Sequence, residues 1–374
     1  MSLFTDTTPD LPPRQQRGPR VGWTMLAIAL VGVAIVGFVP APYVIEKPGP
    51  VFDTLSDVVV DGESVPLIDI PTETTYPTEG TLDMLTVTVT GNRETRPGWL
   101  EIAASWLDPS KAVIPLDDVY PEGTTVEQSK EQSAADMTNS QALSVAAALT
   151  QLGYDLETAL TVASVQPGSA ADGVLEAGDV IESVNGTSFA NVTELQATIA
   201  ENGTTDPAEV TILRAGVEQT LDIVPQLSTA DTPVPALGIA VGLAVADDFV
   251  FPVDVKIQLE NVGGPSAGMM LALGIIDKLT PGSLNGGENV AGTGTITVDG
   301  TVGPIGGIRQ KLYGAERAGA DFFLAPQSNC DDVVGHIPDG LTVYAVSTLE
   351  EALTALAAID TDEGRDALPV CSAS

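Results

Sequence analysis

From Val21 to Val39 the chain reads VGWTMLAIALVGVAIVGFV, 19 residues without a charge. As a helix rising 1.5 Å per residue, this run spans roughly 28 Å, close to the ~30 Å hydrocarbon core of a bilayer. No globular core of ordinary size needs such a segment, so it constrains the rest of the chain first. Arg14, Arg17 and Arg20 precede it, while only Lys47 follows closely, beside Glu46. The positive-inside rule then leaves residues 1–20 as a cytoplasmic tail and puts everything after residue 39 outside the cytoplasm. Trp23 and Tyr43 fall where an aromatic belt forms. A cleaved signal peptide is the rival reading. The run is long for that role and continues into Pro40-Ala41-Pro42-Tyr43 without a clean small-residue cleavage site, so an anchor is expected.

The other 335 residues are long enough for two domains. An apolar fraction of 44% argues against disorder despite a formal charge of −36. That charge argues against nucleic acid or an anionic lipid surface as a partner, because counterion release needs a basic face. Six lysines and one histidine leave few candidates for a general base. Cys330 and Cys371 do not form a metal-ligand spacing, and no metal is expected. Outside the cytoplasm a disulfide between them would tie back the C-terminal tail, residues 359–374.

Residues 47–150 read as a mixed α/β segment whose strands are expected to complete the sheet of the C-terminal domain, which would make the unit between them an insertion. Leu85–Thr90 (LTVTVT) alternates as a half-buried strand, and Ser140–Leu152 carries an Ala/Leu/Val face at helical spacing. Residues 153–226 form a compact, mainly β unit. Leu160–Val165 is a strand, Gly178-Asp179-Val180-Ile181 opens another, and Asn185-Gly186 is a tight-turn signal. Asn191 can cap a helix in which Val192, Leu195 and Ile199 share one face. Val210–Arg214 and Gln219–Val224 bracket Ala215-Gly216 as a hairpin. The motif VQPGSAADGVLEAGDVIESVNG resembles that of bacterial PDZ domains. The resemblance implies binding of an extended peptide by strand addition beside the helix 191–201, with Val192, Leu195 and Ile199 as candidate peptide-binding residues. A Gly-Leu-Gly-type carboxylate loop is not found upstream, which leaves a preference for free C-termini open.

Val253–Leu259 (VDVKIQL) alternates as a strand and is followed by Gly263-Gly264-Pro265-Ser266-Ala267-Gly268 and the apolar helix MMLALGIIDKL. A serine at such a strand-to-helix junction is an exposed nucleophile position near the positive end of a helix. Further on, Thr293–Val298 reads as a strand and Asp299-Gly300 as a turn. PIGGIRQKL then opens a helix that runs to Gly319, and Asp321–Pro326 is a buried strand. GPSAG followed 45 residues later by the lysine of PIGGIRQKL resembles the proteolytic domain of Lon peptidases over residues 237–358.

That resemblance implies an α/β (α+β) fold, Ser266 as nucleophile, Lys311 as general base, and Thr293 as a residue orienting the lysine. Gly264 and Pro265 support the nucleophile. Gly264 stands where Lon enzymes commonly carry an acidic residue, and Thr295 where they carry a glutamate. A homo-oligomer, such as a hexamer, is implied by resemblance alone. Anchor, PDZ and Lon-type domain in this order are similar to a group of bacterial membrane-bound Lon-like PDZ proteases. The sequence holds no GxxxxGK[ST] loop, so neither nucleotide nor another cofactor is expected.

A Ser–Lys dyad makes one physical demand. Lysine at its ordinary pKa of ~10.4 is almost wholly protonated at neutral pH, and a base needs it near about 7–8. Burial against Ile308, Leu312, Tyr313, Ala315 and the strand 322–324 can supply that shift. His336 lies in a turn-like GHIPDG segment, Lys256 and Lys278 read as surface charges, and Asp331 and Asp332 as loop or helix-start residues. The function expected is endoproteolysis of extracytoplasmic polypeptides through an acyl-enzyme. A non-catalytic PDZ adaptor or holdase and a self-processing protein are the alternatives.

Overall fold

The computed structural model of the chain describes residues 22–372 except 29–31, 33–36, 38, 61, 122, 124, 155, 157, 190–191, 229–232, 246–250 and 260–261. The tail expected over 1–20, nine of the 19 residues of the span expected over 21–39 and the cap expected at Asn191 lie outside the described residues. Among those described, no helix is long and apolar enough to cross a membrane.

Strand β1 (Tyr43–Asp53) pairs antiparallel with β2 (Thr81–Thr90), and a short helix α1 (Trp99–Ser105) leads to β3 (Ala112–Pro115) on the other edge of β1. Helix α2 runs from Val126 to Gln151, well beyond the apolar half that the sequence marks as helical. Thr125 starts it: its Oγ1 accepts from Gln128 N–H, and the Gln128 side chain accepts from Thr125 N–H. This capping box satisfies donors that the polar first half would otherwise leave open.

A separate sheet follows, built from β4 (Thr158–Val165), β5 (Val180–Val184), β6 (Ala208–Arg214), β7 (Val217–Ile223) and β8 (Ile239–Val245), in the order β7-β6-β5-β4-β8. Helix α3 (Val192–Asn202) lies between β5 and β6 in sequence. Asn185 and Gly186 have φ of 52° and 73°, as do Ala215 and Gly216 at 50° and 76°, the geometry of tight hairpin turns. Leu160, Val162, Ile181, Leu195, Ile199, Val210 and Ile212 share this unit's own core.

The chain then returns to the first sheet. Helix α4 (Gly268–Leu279) precedes β9 (Asn289–Gly292); α5 (Ile308–Ala318) leads to β10 (Phe322–Pro326), and β11 (Thr342–Val346) is followed by α6 (Leu349–Thr361). The six-stranded order is β11-β10-β9-β2-β1-β3, with β2, β9, β10 and β11 parallel. Alternation along the strands feeds two cores. Leu82, Met84, Val290, Leu324 and Val346 meet α2, α4 and α6 on one face; Leu85, Ala291, Phe323 and Val343 meet α5 on the other.

Of the alternating stretch Val253–Leu259, only Lys256–Ile257 is paired as a strand, with Ile68–Asp69. Thr293–Val298 is likewise shorter as a strand than it reads, with Thr295–Ile296 pairing Val302–Gly303 around the Asp299-Gly300 turn. Cys330 and Cys371 are disulfide-bonded, with Cα atoms 4.9 Å apart.

Candidate active site

The site forms at the carboxyl end of the parallel strands, where open α/β sheets leave a crevice. Thr293 directly follows β9, and its N–H bonds the Leu324 carbonyl at 3.2 Å. Ser266 sits two residues before α4, on the other core's side of the sheet from α5. Lys311, in the first turn of α5, reaches between them and is 2% exposed.

The Nζ of Lys311 donates to Ser266 Oγ at 2.7 Å and to Thr293 Oγ1 at 2.8 Å. Thr293 Oγ1 in turn donates to the Ser266 carbonyl at 2.9 Å, and Gly294 N–H bonds the same carbonyl at 3.0 Å. The threonine hydroxyl spends its only proton on that carbonyl and turns a lone pair to the lysine. Burial pulls the Lys311 pKa down from its ordinary 10.5 to about 7. Ile308, Leu312 and Ala315 belong to the core beside it, whereas Tyr313 is only half-buried.

The loop that carries Ser266 is braced from outside the motif. Ser133 of α2 accepts, through its carbonyl, from Gly264 N–H at 2.8 Å. Ser140 Oγ donates to the Pro265 carbonyl at 3.0 Å, and Ser144 Oγ to the Gly268 carbonyl at 2.9 Å. A Cβ on Gly263 would run into the Ser133 hydroxyl, so the loop and α2 lie in close approach at this glycine. Gly264 holds φ at +83°, a left-handed value that glycine adopts without strain. Sequence reading missed these serines. Their one signal is a spacing of seven and four residues, which puts them on one stripe of a helix whose first half looks uniformly polar.

Beside Ser266 lies a groove of about 560 Å³, lined by Phe52, Leu85, Thr86, Val87, Thr88, Val89, Met137, Val262, Ala267, Gly306 and Lys311 among others. Strand β9 pairs β2 only along Thr81–Met84. From Leu85 onward that edge of β2 has no strand partner among the described residues and faces the groove.

Other predicted residues fall elsewhere. Leu195 and Ile199 are 2% and 4% exposed in the second unit's core, with Val192 packed against it. This corrects their reading as peptide-binding residues: the apolar stripe of α3 faces its own sheet. Among the described residues β8 is an end strand of that sheet, preceded by Gly238 at φ +75°. Lys278 is no plain surface charge. It donates to the Leu55 carbonyl at 3.2 Å, and burial lowers its pKa. Lys256 is 53% exposed beside Asp254. The His336 ring contacts the Val334 carbonyl and is not among the groove's lining residues. Asp331 and Asp332 stand in the first turn of a short helix, Cys330–Val333.

Residues 257–358 match the Lon protease (S16) C-terminal proteolytic domain. Over that stretch the chain is similar to Lon-type serine peptidases. Lon protease 1 of Sorangium cellulosum is 42% identical over 93 residues, which cover 24% of this chain and 11% of that protein. Lon protease 1 of Bacillus subtilis is 35% identical over 118 residues, or 30% and 15% of the two chains. This chain therefore spans only a small part of the length of these relatives.

Residues 122–213 match the PDZ domain family. The strand pairing draws that unit differently. Its core uses residues 160–241, while α2 buries Met137 and Val145–Leu149 in the Lon-type domain's core. The packing is the better guide, because a core defines which residues fold together. A solved PDZ domain of the SdrC-like protein from Listeria monocytogenes is 23% identical over 24% of this chain and 92% of its own, with a TM-score of 0.22. The Lon-type match likewise leaves out β1, β2 and α2, which complete that sheet and brace the loop of Ser266.

Proposed function

We propose that the chain is a membrane-anchored endopeptidase that cleaves polypeptides through Ser266 and Lys311 without a nucleotide. The observation that carries this is the buried Lys311 amine, 2.7 Å from Ser266 Oγ and bonded to hydroxyls rather than to a carboxylate. A neutral amine has two N–H donors and one lone pair. Thr293 Oγ1 takes one donor, which aims the lone pair at the serine hydroxyl. Lys311 accepts that proton as Ser266 Oγ attacks the peptide carbonyl, and returns it to the leaving amine. Water then releases the acyl group by the same route. The start of α4 supplies partial positive charge where the oxyanion develops.

The free edge of β2 over Leu85–Val89 suits an extended substrate, which would add as a strand and lay its scissile bond beside Ser266. Three arginines ahead of an uncharged run support an extracytoplasmic catalytic domain, and a disulfide fits an oxidising compartment. The PDZ unit would receive a peptide along β8. Assembly into a homo-oligomeric ring is part of the same reading, by likeness to Lon enzymes.

The test is casein cleavage by the full chain in detergent, with wild type, Ser266→Ala and Lys311→Ala compared from about pH 6 to about pH 10. Wild-type activity is expected to rise through an apparent pKa near the value of about 7 held by Lys311 and to vanish in both variants. Activity surviving in Ser266→Ala would falsify the mechanism. A wild type that cleaves nothing but binds peptides would favour the adaptor.

A further inference from the structure

Exposed apolar side chains gather where the uncharged run of residues 21–39 ends. Leu100, Trp106 and Leu107 are 49%, 62% and 87% exposed, on α1 and the turn that follows it. The inner side of α1 is pinned by Ile102, packed with Ala41 and Ile45. Trp99 stacks edge-on against Tyr43, with ring centroids 5.9 Å apart. Tyr43 is thus committed to Trp99 rather than to an aromatic belt, and the outward side chains are those of Leu100, Trp106 and Leu107.

The patch and the end of the run are contiguous. Pro40 bridges to Gly98, and Ala41 N–H bonds the Pro97 carbonyl at 2.9 Å. A Cβ on Gly37 would lie 2.3 Å from Leu100 Cγ, so the last part of the run rests directly on α1. The patch is also braced. Asp108 accepts from Ser110 N–H and Oγ–H, and Ser110 Oγ accepts from Arg317, on the helix of Lys311, at 2.8 Å. Its charge is unusual for this chain. Against a total of −36, residues 91–111 carry three cations, Arg93, Arg96 and Lys111, and three carboxylates, Glu94, Glu101 and Asp108. An acidic surface is repelled by anionic headgroups, and this segment is neutral.

We propose that Leu100, Trp106 and Leu107 form a wedge that seats the peptidase domain on the lipid bilayer, at the boundary of headgroups and acyl chains. The inference rests on the anchor reading of residues 21–39. The bilayer is the occupant because the uncharged run ends on the wedge, because the segment lacks net charge, and because Trp and Leu suit that depth. Through Ser110 and Arg317 the wedge would fix the height and tilt of the catalytic groove above the membrane.

The full chain carries three tryptophans, Trp23, Trp99 and Trp106. Trp23→Phe removes the one inside the run. This variant, with and without Trp106→Phe, is reconstituted into phosphatidylcholine vesicles, plain or brominated near the headgroup end of the acyl chains. Bromolipid quenching is expected to be several-fold stronger when Trp106 is present. Flotation of the same vesicles is read in parallel. Chain that floats with Trp106 unquenched overturns the wedge and leaves the anchor standing. Chain that does not float overturns both.

Discussion

Arg214 in the PDZ-type unit and Lys311 in the peptidase domain each press a cation against an apolar core, yet only one meets a carboxylate. Arg214 donates to both Asp179 oxygens at 2.7 Å, to Glu176 at 3.0 Å and to the Val174 carbonyl at 2.8 Å. Burial pushes the Asp179 carboxyl up, but the guanidinium and the Glu176 N–H more than offset this and hold it below its usual range. Lys311 meets two hydroxyls, and burial alone brings it to about 7. Pairing preserves a charge, whereas deprivation frees a proton. A buried cation without a counterion costs stability, which makes it a candidate for chemistry.

The largest effects should come from the deprived cation. Lys311→Arg keeps a charge that cannot act as a base, and Ser266→Ala removes the nucleophile. Each should lower kcat/KM by at least about 10⁴-fold in the casein assay. Lys311→Met separates chemistry from stability. The folded-state pKa of about 7 lies below the ordinary 10.5, so between those values the unfolded chain binds the extra proton. Stability therefore rises with pH across that window, and the cost of burying the charge is fully present below about pH 7. A gap of that size corresponds to on the order of 5 kcal/mol. Lys311→Met should be inactive yet unfold at a higher temperature than wild type at about pH 6, with the advantage shrinking as pH rises. A lower unfolding temperature at that pH would mean the lysine is paired in the folded protein.

The contrast between the two cations was only half legible in the sequence. Ser266 and Lys311 stand out because chemistry needs specific residue types inside short glycine-bearing motifs, and the structure puts those two side chains together. The strands of the PDZ-type unit were readable from alternation and from Asn185-Gly186, both local signals. Arg214 and Asp179 gave no sign of each other, since an ion pair across 35 residues has no local signature. The same holds for Ser133, Ser140 and Ser144. They lie more than a hundred residues from the loop they brace, on a helix whose polar half is held by its cap and by that loop. Periodicity found the apolar face of α3 but not what it faces, so Leu195 and Ile199 read as a groove when they are core. That strands of residues 47–150 join the C-terminal sheet was expected from the sequence, but the parallel register of β2 with β9 is a long-range event without a local signal.

A smaller effect sharpens the lysine's side of the comparison. Thr293→Val keeps the shape but removes the acceptor for Lys311 and the donor to the Ser266 carbonyl. A loss of about 10- to 100-fold in kcat is expected. The protonated amine loses more than the neutral one, because it has more N–H groups to satisfy. The acid limb of the pH–rate profile should therefore move below the wild-type value of about 7, and Thr293→Ser should restore it. A purely structural role would lower activity without moving that limb.

The smallest effect on chemistry should come from Arg214→Gln. This change leaves Asp179, 1% exposed, without its cation, so the PDZ-type unit should unfold at a lower temperature. Because the Asp179 pKa is depressed in the folded protein, wild type should lose the pair's stabilisation as pH falls through the acid range. The variant has none to lose, so its unfolding temperature should depend less steeply on acid. Cleavage of a short peptide that needs only the groove beside β2 should keep its wild-type kcat at neutral pH. If that kcat fell together with the PDZ unit's stability, the two cores would be one cooperative system, and the paired cation would be supporting the chemistry of the unpaired one.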